Sequence, residues 1–175
     1  MTPAQGFSGA FRRPQPIKPK AGQESVWDYP RPPILEPRSE RVVVRLGGQV
    51  IADTTDAVRV LETSHPPVYY LPLASFPSGV LVPVQGTTHC EFKGEAHYFD
   101  VIAGAVVVPR AGWTYPEPAV GFEELSTRVA LDPGHMDSCE VNGEQVTFQE
   151  GDFYGGWITT HIVGPFKGGP GTAGW

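Results

Sequence analysis

Glu62, Thr63, His65, Tyr69 and Tyr70 put a carboxylate, a hydroxyl, an imidazole and two phenols into nine residues, and Pro66-Pro67 kinks the chain between them. A buried Glu62 is a candidate general base. The tyrosines can orient a ligand by hydrogen bonds while their rings supply apolar area. Cys90 is a candidate nucleophile, which requires a cation, a base or a helix N-terminus beside the thiol. His89 adjoins it in sequence but belongs to the opposite strand face, so only folding can bring His65 or His97 to it. The plain alternative makes Cys90 a small buried hydrophobe and the aromatic residues core filling. The five histidines (65, 89, 97, 135 and 161) show no HxH or HExxH spacing, and neither Cys90 nor Cys139 has a CxxC neighbour. No metal site is therefore assigned.

Strands must position these groups. Arg41–Leu46, Gly47-Gly48 and Gln49–Ala52 read as a β-hairpin, because two glycines accept the positive φ values of a tight turn. Val58, Val60 and Glu62 alternate with Arg59, Leu61 and Thr63, as in a strand with one half-buried face. Pro66-Pro67 interrupts that ladder, Val68–Leu71 resumes it, and Leu73–Gln85 reads as an irregular loop. Thr87–Phe92, a turn at Lys93-Gly94-Glu95 and Ala96–Ile102 form a second hairpin. Its Thr88, Cys90 and Phe92 share one face, opposite His89, Glu91 and Lys93. Ala105–Val108 is a further strand, Trp113–Pro118 an aromatic corner, and residues 119–127 a short helix. Val129–Leu131 and Met136–Val141 are strands, and Asn142-Gly143 turns the chain into Glu144–Phe148. If these strands line one cleft, Glu62, Thr63, His65, Tyr69, Tyr70, Thr88, Cys90, Tyr98, Trp113 and Tyr115 are its ligand-binding residues, with Glu62 and Cys90 catalytic.

Charge limits the partners. The chain of 175 residues has a net charge of −6, but residues 1–33 hold five basic and two acidic side chains. That leaves eight basic and seventeen acidic residues in the remainder, a net of −9. Such a body repels phosphate backbones, so nucleic acid is set aside as a partner. The N-terminus has no apolar signal-like core and no run is long and apolar enough to span a bilayer, which points to a cytoplasmic protein with no membrane partner.

The ends differ from the middle. Residues 1–25 form a basic, Pro-rich arm with Phe7 and Phe11, and Pro16-Ile-Lys-Pro19 has PxxP spacing. Residues 26–40 form an extended strap, because Trp27 and Tyr29 are costly to leave in water. The body spans 41–152. Residues 153–175 are a Gly/Pro tail whose Trp157, Phe166 and Trp175 favour docking.

Arg41–Leu46, Gly48, Val50–Asp53, Leu61-Glu62, Pro67, Tyr69-Tyr70, Pro72, Thr88, Cys90, Lys93-Gly94, Ala96, Tyr98, Trp113 and Tyr115-Pro116 together resemble a bacterial family catalogued as domain of unknown function 427. Phe92 stands where that family more often has Trp. The resemblance implies a β-tent fold, the architecture of methionine sulfoxide reductase B and of a zinc-binding nucleotide-exchange chaperone. It does not carry their zinc here, since the paired CxxC motifs are missing. The family has also been labelled a nucleotidyltransferase, yet the chain has neither a Gly-Ser followed by Asp-x-Asp nor a GxxxxGK[ST] loop.

The expected fold class is all-β, with β-tent-like sheets built from short antiparallel hairpins and extended arms. The leading functional reading is a domain that binds an unknown small molecule, open to being an enzyme. The alternative is a non-catalytic interaction or self-association module, including a homo-oligomer, and the third is nucleotidyl transfer. No cofactor is legible.

Overall fold

Gly47 and Gly48, at φ of 59° and 72°, make the first tight turn. A Cβ on Gly47 would stand 2.7 Å from the Ala103 carbonyl oxygen, so the turn also packs where only glycine fits. The turn belongs to a computed structural model that describes residues 13–151 and 153–175. Pro3, Phe7 and Phe11 of the arm lie outside those residues.

The strands are β1 (Glu24–Ser25), β2 (Ile34–Arg38), β3 (Val42–Leu46), β4 (Gln49–Thr54) and β5 (Ala57–Leu61). They continue with β6 (Val68–Pro72), β7 (Leu81–Cys90), β8 (Gly94–Ala103), β9 (Val106–Thr114) and β10 (Arg128–Leu131). The last are β11 (Ser138–Val141), β12 (Glu144–Gln145), β13 (Thr147–Phe148), β14 (Trp157–Ile158) and β15 (Ile162–Val163). The fold is all-β. A seven-stranded antiparallel sheet has the order β2-β5-β6-β10-β9-β8-β7, and a four-stranded one β12-β11-β3-β4.

The main core lies between these sheets. Val42, Val44, Leu46 and Ile51 of the smaller sheet pack with Tyr69, Leu71, Val101, Val129 and Leu131 of the larger. The larger sheet's other face carries Val60, Tyr70, Ala96 and Ala130, covered by Tyr115, Phe122 and Leu125. A third cluster joins Val26, Trp27 and Tyr29 to Leu61 and Ile162, with Phe166 and Trp175 against it.

Several local expectations change. All five residues of β5 are buried, not one face of it, because β5 is an interior strand with clusters on both sides. Leu73–Gln85 is not wholly irregular. A single 3-10 turn at Leu73–Ser75 leads to β7, which begins at Leu81 and includes Pro83. The proline is tolerated because β7 is the sheet's edge and owes its N–H to no outer neighbour. The β7–β8 pairing closes at Cys90 opposite Gly94, so the turn is Glu91-Phe92-Lys93. Trp113 is the penultimate residue of a nine-residue strand instead of opening a corner. The helix over 119–127 is a 3-10 segment, Glu123–Thr127, started without a side-chain cap after Gly121 at φ 94°. Five residues are too few to sustain an α-helix.

Arg59 holds the strap to the sheet. Only 3 % exposed, it stands on β5 opposite Glu36 of β2. Its Nε donates to Glu36 at 2.9 Å and its terminal nitrogen to Glu24 at 2.8 Å. The PxxP segment lies beside the tail, with the Ile17 N–H donating to the Gly164 carbonyl at 2.8 Å. Removing Arg59 leaves two half-hydrated carboxylates facing each other and opens the packing around them. Arg59→Ala is therefore expected to lower unfolding free energy by about 2–3 kcal/mol in urea titration. Arg41→Ala, which breaks only an exposed pair with Asp53, should leave it unchanged.

Candidate functional site

Strand register builds the floor of the site. Tyr70 on β6 lies opposite Ala130 on β10, Ala130 opposite Trp113 on β9, and Trp113 opposite Tyr98 on β8. Cross-strand partners share a face, so Tyr70, Trp113 and Tyr98 form one row. Ala130 is the small residue between two large ones, and over it the Trp113 Nε1–H donates to the Tyr70 hydroxyl at 3.3 Å. The Thr88 and Tyr98 hydroxyls bond at 2.6 Å, and the Tyr115 ring lies 6.4 Å from that of Tyr70. Burial pushes the Tyr70 and Tyr115 phenols well above their ordinary range, so both stay protonated donors. Above this floor is a cavity of about 610 Å³.

His65 stands at the wall, on a loop set by Ser64 at φ 73°. Its Nδ1 is 2.9 Å from the Thr63 carbonyl oxygen and 3.4 Å from Glu62 Oε2. A carbonyl can only accept, so Nδ1 carries the proton and Nε2 keeps its lone pair. Glu62 is itself held by Arg31 at 3.2 Å. Glu62 thus lies between the Arg31 guanidinium and the His65 imidazole. Desolvation depresses the His65 pKa, with Lys167 and Arg31 adding to it and Glu62 and the Thr63 carbonyl opposing. The loop is clamped from both ends of the chain. Ser64 N–H donates to the Val26 carbonyl at 3.0 Å, and Lys167 N–H to the Ser64 carbonyl at 2.9 Å.

The tail supplies the opposite wall. Gly155 lies so close to the Trp113 indole that a Cβ would stand 2.3 Å from it. Buried Gln149 fixes this segment by donating to the Lys167 carbonyl at 2.6 Å and accepting from Gly156 N–H at 3.1 Å. Tyr154 meets His65 edge-on, with ring centroids 5.4 Å apart.

Glu62, His65, Tyr70, Thr88, Cys90, Tyr98, Trp113 and Tyr115 all line the cavity. Thr63 and Tyr69 do not. Thr63 donates to the Tyr29 carbonyl in the strap. Tyr69 is adjacent to Tyr70 on one strand and must face the other way; it stacks on Trp157 at 4.8 Å in the main core. Among the described residues no imidazole hydrogen-bonds the Cys90 thiol; its neighbours are the phenols of Tyr115 and Tyr70. His89, within β7, and Lys93, in the turn after it, also line the cavity, although alternation assigns them to the far face.

Arg110, Gln149, Tyr154 and Lys167 line it as well, and sequence reasoning did not find them. By alternation Arg110 belongs to the face away from Trp113. A bulge opposite Asp100, with Arg110 at φ 52°, breaks that parity. Its guanidinium lies over the Tyr98 ring at 4.2 Å.

The two cysteines do not share a site. Cys90 faces the cavity while Cys139 is buried in the core between the sheets, where desolvation pushes its thiol up to about 12. Among the described residues no three His, Cys, Asp or Glu side chains converge. None of the described helices is long and apolar enough to cross a membrane.

The depressed His65 pKa has a testable sign. The unfolded chain, titrating near 6.5, binds this proton more readily than the folded one. Stability should therefore fall as pH drops from about 6.5 toward the folded value, and more so than in His65→Gln. Urea titrations at neutral and mildly acidic pH read the difference.

No curated protein matches the chain. A family model described as Domain of unknown function (DUF427), labelled NTP_transf_9, matches residues 34–142. That span includes β2 to β11 and every floor residue, but not Gln149, Tyr154 or Lys167. This chain belongs to the DUF427 family.

Proposed function

We propose that the chain binds a small organic molecule in the cavity above Tyr70, Trp113 and Tyr98. The observation that carries this reading is that three large aromatic side chains share one register row, yet the space above them is open. Core-filling aromatics close such a space. The volume of about 610 Å³ falls in the range of small-molecule sites, and a few polar groups converge on an aromatic wall.

His65 is the residue through which such a site would move a proton. Its tautomer is fixed, its Nε2 is unbonded to Glu62 or Thr63, and Glu62 and Arg31 hold it in orientation. Cys90 sits among phenols with no base beside it, which favours a wall role over a nucleophilic one. Nucleotidyl transfer has weaker support, because among the described residues the carboxylates at the cavity do not cluster in a way that would hold a divalent ion. Self-association by strand addition has the β7 edge to use, but Pro83 and a bulge around Gly86 blunt it.

Val68 lines the cavity and is half-buried, so Val68→Trp fills the space while leaving every floor residue unsubstituted. Native mass spectrometry of the freshly purified chain should show an adduct that denaturation removes. The Val68→Trp variant should lack it while its Tm moves by no more than a few degrees. A bare chain mass in both proteins, with no thermal shift from a metabolite panel, would sink the reading.

A further inference from the structure

From Ile34 onward the chain has eight cationic side chains among seventeen acids. Five of them are used in ion pairs: Arg38 with Glu36 and Glu40, Arg41 with Asp53, Arg45 with Glu140, Arg59 with Glu24 and Glu36, and Arg128 with Asp56. The other three, Lys93, Arg110 and Lys167, come from β-turn, bulge and tail, and all three line the one cavity. Among the described residues none of them pairs with an Asp or Glu side chain. In so acidic a body, cations left unpaired at random would not gather at one opening.

Each is instead held over an aromatic ring. Arg110 lies 4.2 Å from the Tyr98 centroid, Lys93 5.6 Å from that of Tyr115, and Lys167 5.7 Å from that of Tyr154. Arg110 uses one N–H on the Gln85 carbonyl at 2.9 Å, and Lys167 one on the Trp175 carbonyl at 3.3 Å. A guanidinium has five donors and an ammonium three, so most remain for a ligand. The acids at the cavity are differently disposed. Glu62 is bound by Arg31, and Asp132 accepts from Gly134 N–H at 3.0 Å and lies 2.8 Å from His135 Nδ1. Glu91 is exposed at the turn.

We propose that the molecule this cavity takes is a flat organic anion, a carboxylate or phosphate on an apolar or aromatic body. The body stacks over Tyr70, Trp113 and Tyr98, and the anionic group meets Lys93, Arg110 and Lys167. This rests on the small-molecule reading and narrows it. Charge-assisted bonds supply the discrimination, since the long-range field of an acidic chain disfavours anions.

The test keeps the ring system constant and changes the charge. Indole-3-acetate, indole-3-acetamide and tryptamine are titrated calorimetrically into the full chain, with phenyl phosphate against phenol as the second anion. Each anion should bind about tenfold more tightly than its uncharged counterpart, with tryptamine weakest. The stronger of the two anions names the oxyanion. Lys93→Gln and Arg110→Gln, checked for unchanged Tm, should each weaken the anion about three- to tenfold and leave the amide unaltered. If the amide equals the acetate, or the variants weaken both alike, the anion proposal falls and the pocket reading stands. If no probe binds at millimolar concentration, both fall.

Discussion

The pairing of β6 between β5 and β10 is the constraint on which the molecule depends. It faces Tyr69 into the main core, stacked on Trp157, and Tyr70 toward the cavity. A slip of one residue would exchange the two tyrosines and move a polar-tipped ring from each environment into the other. Ala130 locks the choice. Opposite Tyr70 and Trp113 at once, it leaves room for those side chains to meet, and no larger residue would do so. Arg59, opposite Tyr69 in the same register, then faces the carboxylates of Glu24 and Glu36.

A seven-stranded sheet buries both faces only if something covers the side turned from the smaller sheet. Phe122, Leu125 and Tyr115 cover one part of it, and Tyr154 and Gly155 bring the tail across another. The strap and tail meet at His65, where the backbone of neighbouring Ser64 bonds the Val26 carbonyl of one and the Lys167 N–H of the other. The geometry of the imidazole is thus set by residues far apart in sequence, while Glu62 and Thr63 supply its immediate partners. The cavity is what remains where this cover is incomplete. Its polar groups come from the turn, the bulge and the tail, the parts of a β fold least bound by sheet geometry.

The all-β fold and its hairpins were legible because Gly47-Gly48 and Asn142-Gly143 can occupy turns that other pairs cannot. The floor was legible in part: Tyr70 and Tyr98 belong to strands that sequence alternation identifies, whereas Trp113, read as the start of a corner, lies within β9. Tyr69 was a misreading of evidence already present, since two adjacent strand residues cannot line one face. Arg110 was hidden for a different reason. Parity assigns it to the far face, and only a bulge in the folded sheet reverses that. Lys167 and Gln149 lie in irregular chain, where no periodicity tells which way a side chain points. The 119–127 segment shows the reverse error: an apolar spacing suggested a helix, but Phe122 and Leu125 need only a single 3-10 turn to reach the sheet.

The most direct test uses the protein's four tryptophans. In a nitrogen-15 spectrum each indole N–H gives one signal. Trp113 donates to Tyr70 at the cavity floor, whereas Trp157 lies in the core on the other face of the sheet. Addition of a library of small aromatic acids should shift the Trp113 signal and leave Trp157 in place. A Trp113 signal that never moves, or that moves only together with Trp157, would contradict the claim that this cavity is a binding site.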